Sequence, residues 1–244
     1  MAVVGGSICT EAEADLAEEL GRRLAEGGAI VLCGGLTGVM ESVARGVRHA
    51  GGLTIGILPG SREKEIERLL PVMLEAAQIL CAQDHQLQFL LMKASSVSLS
   101  LIEKFTNRYS LPLRIIGDQT YNGINASTVC MVTSGTATLE TAILQKPMIV
   151  VYKTSLLTWL LAKFLIKIPY IGLVNVVAGK KIVPECIQFE ATPQKIAQEI
   201  KSIYTDRTKM AEIKSGLQKV KESLGEPGAS HRAAEAVIKI LKKN

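Results

Sequence analysis

Two short stretches carry the residue types from which an anion site is built: Leu58 to Arg62, "LPGSR", and Thr133 to Glu140, "TSGTATLE". Each follows an apolar run and opens a helical one. In such a turn the small residues Gly60 and Ser61, or Ser134 and Gly135, let phosphate oxygens approach backbone N–H groups at a helix N-terminus that starts near Thr136 in the second case. Arg62 adds a fixed cation whose forked donors match a phosphate. Glu140 stands four residues after Thr136, one helical turn on and on the same face, where a carboxylate accepts hydrogen bonds from ribose hydroxyls. The chemistry is then nucleotide binding. A Gly-Thr turn that only caps its helix satisfies the same bare pattern, so the turns alone leave both readings open. The same holds for Gly34, Gly35 and Gly38, which suit either a phosphate or a tight strand-to-helix connection.

The elements that must position these turns alternate. "AVVGGS", "AIVLCGG" and "TIGILPG" are short apolar runs separated by the amphipathic stretches "EAEADLAEELGRRLAEGG" and "GVMESVARGVRHAGG". That spacing predicts βαβαβ with parallel strands, whose carboxyl ends all face one edge, where ligands of doubly wound sheets sit. Thr10 with Glu13 has the spacing of a capping box, and Gly27-Gly28 ends the first helix. The alternation continues with a helix from Glu63 to Ala82, the strand "LQFLLMKAS", the helix "SLSLIEKFTNRYS" and the strand "LPLRIIG". "STVCMVTSG", a helix from about Thr136 to Leu144, and "PMIVVYK" follow. "GDQTYNGINAS" and "GEPGAS" read as loops.

Composition narrows the class. Hydrophobic residues make up 48% and aromatics only 4%, which fits a parallel sheet of Val, Ile, Leu and Ala and disfavours a nucleic-acid surface built on aromatic stacking. The cysteines Cys9, Cys33, Cys81, Cys130 and Cys186 are isolated and mostly in apolar runs, as buried thiols of a reducing cytoplasm are. The apolar start gives way at once to acidic residues, without the basic region of a signal peptide. No carboxylate cluster has metal spacing, and no cofactor is expected. Residues 150–244 carry sixteen Lys/Arg against eight Asp/Glu, so a negatively charged partner belongs there. Within that third, Ser155 to Ile168, "SLLTWLLAKFLIKI", is too short and too charged to span a bilayer. It fits a helix docked at a membrane surface or one packed on the sheet with its lysines snorkelling.

From about Thr54 onward the chain resembles the C-terminal half of lipid-A-disaccharide synthase. The resemblance rests on "IGILPGSREKEIERLLPVMLEAA", "ASSVSLSLIEK", "SGTATLETAILQKPMIVVYK", "LLAKFLIKIPYIGLVNVVAGKKIVPECIQ", "ATPQKIAQEI" and "LGEPGASHRAAEAV". It implies an α/β, doubly wound parallel sheet of the GT-B C-terminal lobe type, at residues 54–244, that holds a UDP-sugar. Gly60, Ser61, Arg62 and the turn Ser134, Gly135, Thr136 would neighbour the diphosphate, Lys153 would help to stabilise it, and Glu140 would meet the ribose. Asn175, Ala178, Gly179, Glu185 and Gln188 would build the donor pocket; a solvated helix start after Pro184 is the other reading of Glu185 and Gln188.

The N-terminal 58 residues depart from that family, with residues 1–53 expected as a separate unit. "GGLTGVMESVARGVRHAGGLTIGILPG" resembles the opening of the LOG family, Rossmann-like nucleoside-monophosphate phosphoribohydrolases, and implies a small βαβ subdomain. The family's Pro-Gly-Gly-x-Gly-Thr-x-x-Glu segment does not follow. Both families share a strand of the form "IGILPG", which the synthase places centrally and the LOG fold pairs with the preceding strand. One strand has two edges, so the two arrangements compete, and the longer resemblance is expected to prevail.

The synthase resemblance implies transfer of diacylglucosamine from UDP to diacylglucosamine 1-phosphate, on the cytoplasmic side and at the inner membrane surface. Inverting transfer needs a base for the acceptor hydroxyl, which the family takes from an N-terminal lobe not represented here, so transfer by the chain alone is expected to be poor and no catalytic residue is assigned. His49, His85 and His231 lie in polar helices or helix ends and offer no substitute. A LOG-like phosphoribohydrolase and a non-catalytic nucleotide- or membrane-binding protein are the alternatives.

Overall fold

The computed structural model describes all residues except 1, 4, 28, 30, 34–37, 51, 156–157, 161–168, 226–227 and 242–244. Gly34, Gly35 and most of the Ser155–Ile168 stretch therefore lie outside the described residues. In chain order the first elements are β1 (Ala2–Val3), α1 (Glu11–Glu26), β2 (Leu32–Cys33), α2 (Val39–His49), β3 (Leu53–Leu58), α3 (Glu63–Gln83) and β4 (Leu87–Lys93). There follow α4 (Leu99–Thr106), β5 (Leu113–Gly117), α5 (Thr120–Ala126), β6 (Val129–Thr133), α6 (Thr136–Ile143) and β7 (Met148–Tyr152). The last are α7 (Leu173–Ala178), β8 (Glu185–Ile187), α8 (Pro193–Thr205), α9 (Arg207–Ser223) and α10 (Ala229–Leu241).

Six strands form one parallel sheet in the order β5-β4-β3-β6-β7-β8. The chain winds outward from β3 in one direction, then returns to β6 and winds outward in the other, so the topological switch point lies between β3 and β6. β3 is paired on both sides, with Ile55 opposite Phe89 of β4 and Val129 of β6. That decides the competition for the "IGILPG" strand in favour of the longer resemblance. β1 and β2 pair only with each other, Ala2 opposite Leu32 and Val3 opposite Cys33.

The central strands read as continuous apolar runs because both faces are covered. All five residues of β6 are buried, and five of the six in β3. Ile66, Leu69, Leu70, Met73 and Leu74 of α3, with Ile196, Ile200 and Ile203 of α8, close over the sheet. The first two helices keep a separate small core around Ala17, Val31 and Val43. Thr10 and Glu13 form the capping box, Glu13 holding the Thr10 amide at 2.8 Å. Among the described residues no helix is long and apolar enough to cross a membrane.

Two expectations are corrected. "GDQTYNGINAS" contains a helix, α5, whose Gly123 packs so closely under Met92 that a Cβ would lie 2.8 Å from its sulfur; the glycine serves packing there, not a turn. After Pro184, Glu185–Ile187 form the sixth strand and Gln188 opens a short 3-10 turn, so the alternative of a solvated helix start does not hold; Cys186 is fully buried and Gln188 is 7% exposed.

Candidate nucleotide site

All six strands of the large sheet end on one edge, and a cavity of about 540 Å³ opens there over the switch point. The turn after β3 supplies Gly60, Ser61, Arg62 and Glu65 to its wall, and the turn after β6 supplies Thr133, Ser134, Gly135, Thr136 and Glu140. Ala94, Ser95 and Thr120 contribute from the turns after β4 and β5. A second hollow of about 370 Å³ adjoins it, lined by Lys93, Asp118 and Gln119–Asn122 and sharing Ser95, Thr120 and Glu140 with the first. The Glu140 side chain thus stands between the two, with no hydrogen-bond or ion-pair partner among the described residues. Larger grooves beside α9 and beside α4 contain neither turn.

The two turns have different local chemistry. Glu65, at the third position of α3, folds its carboxylate back to accept from the amides of Ser61 (3.1 Å) and Arg62 (3.3 Å) and from the Arg62 guanidinium (3.1 Å). Gly60 permits this: its φ of 112° is left-handed, and a Cβ would strike the Glu65 carboxylate. The two amides that lead into α3 are therefore already taken by Glu65. Ser96 ties the same turn down from outside, its hydroxyl donating to the Ser61 carbonyl at 2.7 Å.

The N-terminus of α6 has no such cap. Gly135, at the capping position, has no side chain to offer, and its φ of 152° with ψ of −165° belongs to a region essentially reserved for glycine. Ser134 is turned away, its hydroxyl donating to the Ile171 carbonyl at 2.9 Å. Thr138 donates its amide to the Gly135 carbonyl at 3.1 Å, while Thr136 and Ala137, the first two residues of α6, line the cavity with amides that have no acceptor within the helix. Partial positive charge at this end favours an anion, and the open amides supply the donors.

Of the remaining expected donor residues, the cavity contains none. Asn175 is fully buried; its Nδ2 donates to the Val183 carbonyl (3.0 Å) and Glu185 (2.8 Å), and its Oδ1 accepts from Ile182 and Val183. Glu185 caps α7, accepting from the amides of Ile171 (3.1 Å) and Gly172 (3.0 Å). Gln188 clamps the chain after β7 by exchanging hydrogen bonds with the backbone of Thr154 at 3.0 and 3.1 Å. Gly179 ends α7 in the left-handed conformation, with φ of 65°. Lys153 is half-buried just past β7, on the same edge but outside the cavity wall. These residues hold the floor and flank of the edge on which the cavity opens.

Sequence reasoning missed Glu65 and Thr133. The first was legible only as a glutamate at the third helical position, from which a carboxylate can reach back to the amides before the helix; nothing in spacing singles out the second. The histidines are peripheral: His49 meets Glu18 at 2.7 Å and His231 meets Glu235 at 3.1 Å, both in exposed positions.

Known proteins with this arrangement are consistent with one another. The family model described as Lipid-A-disaccharide synthetase matches residues 48–240. The chain is 43% identical over 192 residues to the lipid-A-disaccharide synthase of Syntrophus aciditrophicus (strain SB), covering 78% of this chain and 50% of that one. It is 40% identical over 190 residues to that of Anaeromyxobacter dehalogenans (strain 2CP-C), with the same shares. The chain thus spans about half the length of the curated relatives it matches. Among solved structures it resembles in fold a sucrose-phosphate synthase from Thermosynechococcus elongatus (TM-score 0.54, 16% identity, 82% of this chain and 49% of that one). A spinosyn rhamnosyltransferase is similar as well (TM-score 0.52, 13% identity, 75% and 45%). The lobe of parallel sheet and helices is of the glycosyltransferase GT-B type, and by its sequence the chain belongs to the lipid-A-disaccharide synthase family.

Proposed function

We propose that the chain is the nucleotide-sugar lobe of a hexosyltransferase of lipid A assembly, binding the UDP portion of UDP-diacylglucosamine. The observation that carries this reading is the N-terminus of α6 at the switch point, without a side-chain cap, with Arg62 across the cavity and, one turn behind, Glu140, which has no partner among the described residues. The diphosphate lies against the α6 amides, Glu140 accepts from the ribose hydroxyls, and the base occupies the adjoining hollow near Tyr121. Stabilising the departing UDP is then the task of the α6 amides and Arg62, whose charge and dipoles match the negative charge that builds on the leaving diphosphate.

Transfer to diacylglucosamine 1-phosphate also needs a base for the acceptor hydroxyl. Glu65 is held by its own turn and Glu140 is assigned to ribose, so the 244-residue chain by itself binds donor and transfers poorly. The excess of lysine and arginine after residue 150 suits contact with anionic lipid at the cytoplasmic face of the inner membrane. We assign residues 54–244 to the donor lobe and residues 1–53 to an appended Rossmann-like unit.

Calorimetric titration of the purified chain with UDP, and with AMP for comparison, tests the reading. Saturable uptake of UDP, not matched by AMP, is expected. A folded chain that takes up neither would overturn it, and preference for AMP would favour a phosphoribohydrolase-like site.

A further inference from the structure

Thr133 is the last residue of β6 and belongs to the wall of the cavity, directly before the turn that opens α6. It is 3% exposed, and its hydroxyl oxygen is the one buried side-chain nitrogen or oxygen among the described residues with no hydrogen-bond partner. Neighbouring buried hydroxyls are satisfied: Thr138 donates to the Gly135 carbonyl at 2.7 Å, Thr141 to that of Ala137 at 2.8 Å, and Ser127 to that of Gly123 at 2.8 Å. A buried hydroxyl without a partner is destabilising, and valine would fill the same space without that penalty. Packing between β3 and β7 asks only for a β-branched residue. Among the described residues the hydroxyl finds no role in the ligand-free fold, and its place at the switch point supplies a reason for its presence.

We infer that Thr133 is a further phosphate-binding residue, whose hydroxyl donates to an oxygen of the donor's diphosphate seated at the N-terminus of α6. The inference rests on the donor reading above. The hydroxyl is shielded from solvent at the cavity wall, and χ1, the one heavy-atom torsion of a threonine side chain, is the torsion that re-aims it. A hydrogen bond to a charged oxygen is shorter and stronger than one between neutral groups, which offsets the desolvation already borne.

The test is a set of titrations of wild type, Thr133→Val and Thr133→Ser with UDP, and with uridine read by displacement of UDP, beside melting curves of each ligand-free protein. Thr133→Val should melt no lower than wild type, bind UDP about tenfold more weakly and bind uridine unchanged, while Thr133→Ser keeps UDP affinity within about twofold. UDP uptake unaffected by the valine, an equal loss for uridine, or a lowered melting temperature of ligand-free Thr133→Val would each overturn the assignment. A wild-type chain that does not bind UDP would instead overturn the donor reading itself, and this assignment with it.

Discussion

The Glu65 carboxylate lies 3.1 Å from one nitrogen of the Arg62 guanidinium and 3.1 Å from the Ser61 amide, so one side chain occupies the amides of the turn after β3 and leaves the rest of the Arg62 fork for an anion. Arg62 is 82% exposed, and an ion pair so open to water adds little by itself. The stabilising part of the contact is the cap on α3. Glu65→Ala should therefore cost about 1 kcal/mol, a fall of about 2–4 °C in Tm for a chain of this size. Because the diphosphate is assigned to α6, UDP affinity should not rise. Tighter UDP binding by Glu65→Ala would move the phosphate to the α3 turn.

Gly135 tests the other turn. No atom lies within 4 Å of where its Cβ would be, so substitution is opposed by backbone conformation alone. Gly135→Ala should destabilise by about 1–3 kcal/mol in denaturant titration and abolish saturable UDP binding, since relaxing the turn re-aims the α6 amides. Normal stability with normal binding would show that the turn is not strained and that the site does not depend on it.

Much of this arrangement was legible in the sequence because it is local. The alternation of apolar runs and amphipathic stretches set every strand from β3 to β7 and the helices between them except α5, and the two glycine turns fell where parallel strands must end. What could not be read is long-range. Glu185 and Gln188 look like the polar start of a helix until Ile171, Gly172 and Thr154 are beside them, and only then is the edge strand that begins at Glu185 intelligible. Gly123 reads as a loop residue until Met92 lies over it. Thr133 is one more small residue in "TSGTATLE", and only the count of its missing partners distinguishes it.

Asn175 separates building the edge from binding the ligand. It makes four hydrogen bonds from a fully buried position and joins α7 to the loop before β8. Asn175→Ala leaves the Ile182 and Val183 amides and the Glu185 carboxylate short of partners and should cost about 2–4 kcal/mol. Glu140→Ala should do the reverse. Its carboxylate has no partner among the described residues, so stability should hold within about 0.5 kcal/mol while affinity for UDP and for uridine falls about tenfold. Melting curves and titrations on both variants check the pair, and equal stability loss in the two would erase the distinction.

The buried thiols make the alkaline limit of the fold predictable. Burial pushes Cys130 and Cys186 up to about 12, well above an ordinary thiol. In the unfolded chain both ionise near pH 8.5 to 9. Between that range and about 12 the unfolded state therefore binds fewer protons than the folded one, and stability falls as pH rises. Below the unfolded value both states are protonated, and the thiols' contribution is fully present. Replacing Cys130 and Cys186 with alanine should flatten the decline in unfolding free energy between pH 9 and 11, at the cost of a lower plateau at neutral pH from the cavities left behind. In the native wild type a thiol reagent at pH 8 should label the half-buried Cys81 and leave Cys130 and Cys186 untouched, since neither presents a thiolate. Rapid labelling of Cys130 in the folded chain would mean that the β3–β6 core opens far more readily than its packing implies.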